Sequence, residues 1–476
     1  MAELEAVIGL EIHVQLATKT KMFCGCELSF GDEPNVHTCP VCLAHPGVLP
    51  VPNEQAISYA LQIGAALNCE IAPRSIFHRK NYFYPDSPKA YQISQYDIPI
   101  CGAGRLGDVR IHRAHLEEDA AKMIHVGESG RIHGSGASLV DFNRGGTPLV
   151  EIVTEPDLRD AAEAAQWARL LRETIRQLGV SDVNMEEGSL RVDANVSVRP
   201  AGSEELGTKT ELKNMNSFRF LQRGVEAELA RQRELVEGGG TVEQETLHFD
   251  PASGTLTSLR SKEEAHDYRY FPEPDLVPLA PSEEQLREAR ESLPELPVAR
   301  IERYEEMGLA YDVALTLSTD PRTAGYFENV VEAAGGIEPR VLANWVTGEL
   351  AAALRQAEVD GGAADSRISP PDLAKLVRLV QEKKISHGSG KKVLAAMVKD
   401  GGDPEEIVER EGLAQMSDSG ELEAIVEKAM ADNPDAVEKI REGNGKAIGA
   451  IVGAVMRETK GRADGGEVNR LIQEKL

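Results

Sequence analysis

The sequence lacks any apolar run near the roughly 18–20 residues that a membrane span requires, so nothing in it reads as a transmembrane helix. The opening residues, Met1-Ala2-Glu3-Leu4-Glu5, are acidic and have no basic segment before an apolar one. They do not read as a secretory signal or a transit peptide, and the expected location is the bacterial cytoplasm. Positive charge is scarce. The 476 residues carry 52 Lys and Arg against 78 Asp and Glu, a net charge of −26. That balance disfavours generic adhesion to nucleic acid or an anionic membrane, so neither DNA nor membrane is expected as a partner. Any RNA contact has to use a local basic patch. There is no internal repeat, no low-complexity tract and no Gly-x-Ser-x-Gly elbow. Gly388-Ser389-Gly390-Lys391-Lys392 and Gly443-Asn444-Gly445-Lys446 miss the first glycine and the Ser/Thr of a phosphate loop, and neither is taken as a nucleotide site.

What is present is a globular balance of 41% hydrophobic and 27% charged residues, long enough for two to four domains. Residues 4–16 alternate, with Ile8, Leu10, Ile12, Val14 and Leu16 on one face and Gly9, Glu11, His13 and Gln15 on the other. Residues 189–199 alternate likewise, with Arg191, Asp193, Asn195, Ser197 and Arg199 on the polar face. Asp157 is expected to cap a helix ending at Gly179, and Ser217 a helix ending at Gly238-Gly239-Gly240. A proline-rich stretch from Pro272 to Pro297 reads as a boundary. Strand-like text gives way there to helical periodicity. The expected division is 1–293, strand-rich; 294–403, helical; and 404–476, a helical tail.

Four of the six cysteines cluster. Cys24-Gly25-Cys26 and Cys39-Pro40-Val41-Cys42 are twelve residues apart, the spacing of a four-thiolate zinc knuckle. Four thiolates leave no open coordination position, so such a zinc is structural. His37 or His45 could replace one sulfur, and the competing reading is four reduced cysteines in loops. Cys69 and Cys101 have no partner pattern and read as buried thiols.

Carboxylates gather near the two polar strand faces: Glu11, Glu117-Glu118-Asp119, Glu151 inside Leu149-Val150-Glu151-Ile152-Val153, Glu186-Glu187 and Asp193. A carboxylate in an apolar strand is costly unless paired or bound to a cation. With His13, the set suits Mg²⁺ holding a nucleoside triphosphate, or else salt bridges to the many arginines. Lys80, Asn81, Tyr82, Tyr84 and Lys89 lie in a basic, aromatic stretch suited to phosphate and purine, or to a surface loop over core aromatics. Between Lys375 and Lys399 seven basic residues face one acid, Glu382, a local reversal of sign that fits an RNA backbone or a solvated helix face.

Val7-Ile8-Gly9-Leu10-Glu11-Ile12-His13-Val14-Gln15-Leu16, Arg79-Lys80-Asn81-Tyr82-Phe83-Tyr84-Pro85-Asp86, Glu117-Glu118-Asp119-Ala120, Asn143-Arg144-Gly145-Gly146-Thr147-Pro148-Leu149 and Asp267-Tyr268-Arg269-Tyr270-Phe271-Pro272-Glu273-Pro274-Asp275 carry a resemblance. Together they resemble the GatB family, the B subunits of the aspartyl/glutamyl-tRNA(Asn/Gln) amidotransferases, over essentially the whole chain. The resemblance implies an α+β fold: a largely antiparallel catalytic cradle like that of glutamine synthetase and the guanidino kinases, then all-α C-terminal domains. It implies ATP- and Mg²⁺-dependent phosphorylation of the side-chain carboxylate of Glu-tRNA(Gln), Asp-tRNA(Asn) or both, then amidation. The implied partners are misacylated tRNA, the A subunit, which is an amidase that supplies ammonia through a tunnel, and the small C subunit, which straps the other two.

By the same resemblance Glu11, His13, Glu118, Glu151 and Lys89 are catalytic. Glu11, His13, Glu118, Glu187 and Asp193 hold Mg²⁺, and Lys80, Asn81, Tyr82 and Tyr84 hold the nucleotide. Cys24, Cys26, Cys39 and Cys42 match a zinc site found in part of the family, and Lys383, Lys384, Lys391 and Lys392 fall where tRNA is held. Two other readings compete: a noncatalytic tRNA-binding zinc scaffold, and a metal-dependent amide hydrolase working without ATP.

Overall fold

The computed structural model describes residues 3–126, 135–260, 268–359, 361–414, 419–441, 445–459 and 462–476. The chain forms two compact units, Met1–Val298 and Ala299–Leu476.

The first unit runs β1 (Leu4–Gln15), α1 (Glu54–Ala66), β2 (His78–Asn81), β3 (Tyr91–Ser94), β4 (Gly104–Leu106), β5 (Val109–Glu118), β6 (Lys122–Val126), β7 (Ala137–Asp141) and β8 (Pro148–Thr154). It continues with α2 (Ala161–Leu178), β9 (Leu190–Pro200), β10 (Thr210–Met215), α3 (Phe218–Glu237), β11 (Thr246–Asp250), β12 (Thr255–Arg260), β13 (Phe271–Pro272) and α4 (Glu283–Glu291). Eight strands make one sheet in the order β12-β11-β10-β9-β1-β8-β5-β4. Neighbours pair antiparallel except β10 and β11, which are parallel and joined through α3. A parallel pair needs such a crossover, because a tight turn only reverses the chain. A three-stranded sheet, β13-β2-β3, and a two-stranded ribbon, β6-β7, complete the β structure.

The alternation of residues 4–16 is realised in β1, the sheet's central strand. Ile8, Leu10, Ile12 and Val14 are at most 1% exposed, and Val192, Ala194 and Val196 of β9 are buried with them. α3 packs against β9 and β10, and α2 against α3. α2 buries Ala164, Ala168, Leu171 and Ile175, and Trp167 Nε1 donates to the Leu106 carbonyl at 2.9 Å. The cap of α2 is Asp160, which accepts from Glu163 N at 2.8 Å, and the helix ends on left-handed Gly179. Asp157, expected as that cap, instead accepts from the Arg110 guanidinium at 2.6 and 2.9 Å. Two residues, Leu158 and Arg159, separate the two aspartates, and only Asp160 reaches the first free N–H groups. Ser217 caps α3 as its position predicts.

The second unit is helical: α5 (Pro297–Glu306), α6 (Tyr311–Ser318), α7 (Pro321–Ala334), α8 (Pro339–Asn344), α9 (Ala351–Gln356), α10 (Pro370–Gln381), α11 (His387–Asp400) and α12 (Pro404–Glu411). Then come α13 (Ser419–Ala431), α14 (Pro434–Arg441), α15 (Ile448–Glu458) and α16 (Gly465–Glu474). A π-helical turn, Trp345–Leu350, joins α8 to α9. α12 packs on α10 and α11, and Lys375 binds Asp403 at 2.7 Å. α13 to α16 close on their own core of Val426, Ile451, Val455, Val468 and Ile472. No described helix is long and apolar enough to cross a membrane.

Candidate active site

The polar face of the large sheet concentrates charge because strand register sets opposite partners side by side. β1 lies between β8 and β9, with His13 opposite Glu151 on one side and Arg191 on the other, and Glu11 opposite Asp193. On the far side of β8, His115 of β5 stands opposite the same Glu151. Four strands thus point acidic, basic and imidazole groups into one place.

His13 is the hub. Its Nε2 lies 3.4 Å from Glu151, 3.6 Å from Glu117 and 3.9 Å from Glu11. His115 Nε2 lies 3.6 Å from Glu151 and 3.9 Å from Glu117. Burial alone lowers the His13 pKa, but the hydrogen bond with Glu151 and the charges of Glu117 and Glu151 raise it to about 9. Glu11 is pushed up to about 7, by burial first and then by repulsion from Glu151. Burial pushes Glu151 up as well, yet His115 and His13 hold it well below the usual carboxylate range. Burial lowers the His115 pKa, against the charges of Glu151 and Glu117. Several carboxylates thus share the His13 imidazolium, with Arg113 3.8 Å from Glu151 and Lys213 3.4 Å from Asp193.

Two groups of donors share His13, and within each the ligand atoms lie within 4.8 Å of one another: Glu11, His13 and Asp193, and His13, Glu117 and Glu151. Carboxylate oxygens outnumber the imidazole in each group, which fits a hard divalent ion such as Mg²⁺ or Mn²⁺. Metal binding needs His13 neutral, so a cation competes with its proton.

Beside the cluster opens a cavity of about 450 Å³, lined by His13, Lys80, Tyr82, Lys89, Glu117, Glu118, Asp119, Arg191, Asp193, Lys213 and Tyr268 among others. Lys213 lies 3.4 Å from Asp193 and 2.9 Å from Glu211. Burial lowers the Lys213 and Lys80 pKa values, but Asp193 and Glu211 for the first, and Glu117 for the second, outweigh it and hold both ammonium groups charged. Arg191 binds Asp119 at 3.2 Å, and Gln15 donates to the same carboxylate at 2.8 Å. Gly146, with φ +91°, lets the Asn143–Leu149 segment pass close to Lys21 at the cavity edge.

The residues expected from sequence divide. Glu11, His13, Glu151 and Asp193 meet in the cluster, and Lys80, Tyr82 and Lys89 line the cavity. Glu118 stands apart from the cluster, paired with Lys89 and accepting from Ile93 N at 2.9 Å. Glu187 is exposed in the turn before β9 and lines a different cavity, with Gln15, Asp32 and Arg144. Asn81 donates to the carbonyls of Tyr268 and Arg269 at 3.0 and 2.8 Å, so its amide ties two segments together. Tyr84 packs against Tyr82 with ring centres 5.9 Å apart. Asp267 lies outside the described residues.

His115, Arg191 and Lys213 belong to the site without having been assigned to it from sequence, and Glu117, one of the carboxylates gathered there, was not among the assigned ligands. For Glu117 a signal existed. After an irregularity between Ile111 and Arg113, Ala114, Leu116 and Glu118 share one side of β5, while Arg113, His115 and Glu117 share the polar side. Parity separates Glu117 from Glu118. Lys213 had no such signal, because it reaches the site only through the pairing of β10 with β9.

The four clustered cysteines converge as well, with all four Sγ atoms within 4.8 Å of one another. The Cys39 and Cys42 sulfurs are 3.9 Å apart. That is near the roughly 3.8 Å between sulfurs around a tetrahedral zinc with 2.3 Å bonds. The Cys42 pKa is lowered to about 4, chiefly by its hydrogen bond with Cys24. A thiolate in such a cluster is a ready metal ligand. His37 is taken by Asp32 at 2.7 Å. In the helical unit Lys383, Lys384, Lys391 and Lys392 are exposed around the turn between α10 and α11. Lys384 pairs with Glu382 at 2.8 Å and Lys391 with Glu349 at 2.9 Å.

The profile of the GatB/GatE catalytic domain matches residues 6–287, more than half of the chain, and a GatB domain matches residues 325–476. The chain belongs to the GatB family. Among its relatives, the B subunit of the aspartyl/glutamyl-tRNA(Asn/Gln) amidotransferase of Geobacter sulfurreducens is 51% identical, over 99% of each chain. The protein of the same name from Brevibacillus brevis is 50% identical over 100% of this chain and 99% of its own. That of Syntrophotalea carbinolica is 48% identical over 99% of this chain and 98% of its own. The α+β fold, with its antiparallel-dominated sheet and helical C-terminal region, is the one expected from the GatB resemblance.

Proposed function

We propose that this GatB chain is the activating subunit of a tRNA-dependent amidotransferase. It phosphorylates the side-chain carboxylate of Glu-tRNA(Gln) or Asp-tRNA(Asn) with ATP and converts the product to the amide. The observation that carries this reading is the carboxylate–imidazole cluster on the sheet, facing a cavity that holds Lys80, Lys89, Arg191 and Lys213.

A carboxylate is a poor acyl donor because its oxygen leaves badly. In the first step a substrate carboxylate oxygen attacks the γ-phosphorus of ATP, the bond to the bridging oxygen breaks, and ADP departs. In the second, ammonia attacks the acyl carbon, phosphate leaves with the bonding pair, and nitrogen loses a proton. Neither step needs a protein nucleophile. Lys80, Lys89, Lys213 and Arg191 absorb phosphate charge in a partly enclosed site. Glu11, His13, Glu117, Glu151 and Asp193 would hold the divalent cation, which would supply Lewis-acid withdrawal of charge from the phosphoryl group. Glu118, paired with Lys89 at the cavity wall, accepts the proton released on amide formation. Tyr82, backed by Tyr84, faces the nucleotide.

The remaining assignments belong to the same reading. A separate amidase supplies ammonia, and a small third protein completes a heterotrimer that works in the cytoplasm. Zinc held by Cys24, Cys26, Cys39 and Cys42 is structural. The lysines at 383, 384, 391 and 392 contact the tRNA backbone, and residues 1–293, 294–403 and 404–476 serve as a cradle, a helical domain and a tail. The test is ATP turnover by the reconstituted complex with and without misacylated tRNA. Stimulation by that tRNA, lost in His13→Ala, supports the reading. Turnover that ignores the tRNA, or none at all, refutes it and leaves a noncatalytic scaffold.

A further inference from the structure

The small sheet β13-β2-β3 brings together aromatic rings that the chemistry above does not use. Tyr268 lines the catalytic cavity. Tyr270 follows, its ring centre 6.2 Å away and its plane turned by 72°. Tyr96, just past the end of β3, stacks on Tyr270 at 4.4 Å with the planes 9° apart. Tyr96 is 48% exposed. The three rings therefore run without a break from the cavity wall to the surface.

The run is held from behind. His78 is 1% exposed and lies edge-on to both Tyr96 and Tyr270, at 6.3 and 6.5 Å. Neither of its ring nitrogens makes a hydrogen bond. Its Nε2 lies 3.5 Å from the Asp97 carboxylate, and its ring packs against both tyrosines. Lys80 Nζ sits 4.9 Å from the Tyr268 ring centre, and the Asn81 amide clamps the Tyr268 and Arg269 carbonyls.

The covalent structure of the substrate says what such a run would meet. The reacting carboxylate is joined to the terminal ribose of the RNA through one amino acid. The span is roughly 7 Å, about two residues of extended chain. With the carboxylate in the cavity, the terminal nucleotide stands at its mouth and the nucleotides before it leave along the wall. Unpaired bases stack on aromatic side chains with little regard to sequence. A mononucleotide such as ATP needs one stacking interval, whereas three rings reaching the surface suit a strand. We propose that Tyr268, Tyr270 and Tyr96 form a stacking path for the unpaired 3′ end of the aminoacyl-tRNA. This rests on the reading of the cavity as one that acts on aminoacyl-tRNA.

The test uses the complete amidotransferase with Tyr96→Ala, Tyr96→Phe and Tyr96→Trp, each checked for assembly with its partner proteins. Tyr96→Ala is expected to raise KM for aminoacyl-tRNA about tenfold, the loss of one base–aromatic stack, with KM for ATP unchanged. Tyr96→Phe keeps the ring and behaves as the wild type. The Tyr96→Trp indole emission is quenched by a single-stranded RNA ending in CCA and not by ATP. An unchanged KM for aminoacyl-tRNA in Tyr96→Ala overturns the path. A rise in KM for ATP instead makes the rings an adenine pocket, and failure of the complex to assemble makes Tyr96 a protein contact; either result overturns it too. A wild-type complex that does not amidate aminoacyl-tRNA refutes the functional reading itself. A working wild type with an unaltered Tyr96→Ala refutes only the stacking path.

Discussion

Glu11→Gln separates stability from function at the cluster. The Glu11 carboxyl titrates near 7 instead of at its ordinary 4.5, from burial and from repulsion by Glu151. Its folded pKa lies above its unfolded one, so the folded state binds the proton more tightly. The contribution of Glu11 to stability is greatest below pH 4.5, falls as pH rises through 7, and is lowest above it. At 1.36 kcal/mol per pH unit the full difference is about 3 kcal/mol. Glutamine keeps the shape and removes the charge. In chelator at pH 8 the variant should be more stable than the wild type by up to about 3 kcal/mol, or about 5–10 °C for a unit of this size. At pH 4 the difference should vanish, because both side chains are then neutral. Scanning calorimetry at the two pH values, with and without Mg²⁺ or Mn²⁺, reads all of this. Added cation should reverse the order at pH 8, because mass action stabilises only the chain that binds it. A variant less stable than the wild type at pH 8 in chelator, or a difference that ignores pH, would refute the reasoning.

Three further outcomes are expected. Glu117→Gln should weaken Mn²⁺ binding by about 10- to 100-fold in an electron-paramagnetic-resonance titration, comparable to losing a metal's supporting group. Glu118→Gln, bound to Lys89 and the Ile93 amide outside both donor groups, should leave that affinity at the wild-type value while slowing amide formation; equal losses in the two variants would contradict the assignment. Purified protein should carry one zinc per chain, and Cys39→Ser should lose it and melt earlier, which elemental analysis and calorimetry check together. Leu171→Ala, at a site 1% exposed beneath α2, should cost about 2–5 kcal/mol in denaturant unfolding of the first unit; a loss too small to measure would mean the α2 face is not core.

The sequence alone determined what depends on near neighbours in the chain. Alternation placed Ile8, Leu10, Ile12 and Val14 on a buried face and Glu11 and His13 on the other. Ser217 and Gly179 marked helix ends, because a cap is satisfied within three or four residues. Paired cysteine spacing announced a four-sulfur cluster, and the long motifs announced the family. The tertiary structure alone decided what depends on register. The pairing of β1 with β8 and β9, and of β8 with β5, makes Glu151, Glu117 and Asp193 neighbours of β1's Glu11 and His13, though up to about 180 residues of sequence lie between them. An irregularity between Ile111 and Arg113 in β5 sets which side of the sheet the parity of Glu117 faces. Lys213 arrives through β10, and Tyr96 and Tyr270 stack through the small sheet. A side chain's face follows from its own strand, but its partners follow from which strand lies beside it and in what register, and that is settled only when the whole sheet packs.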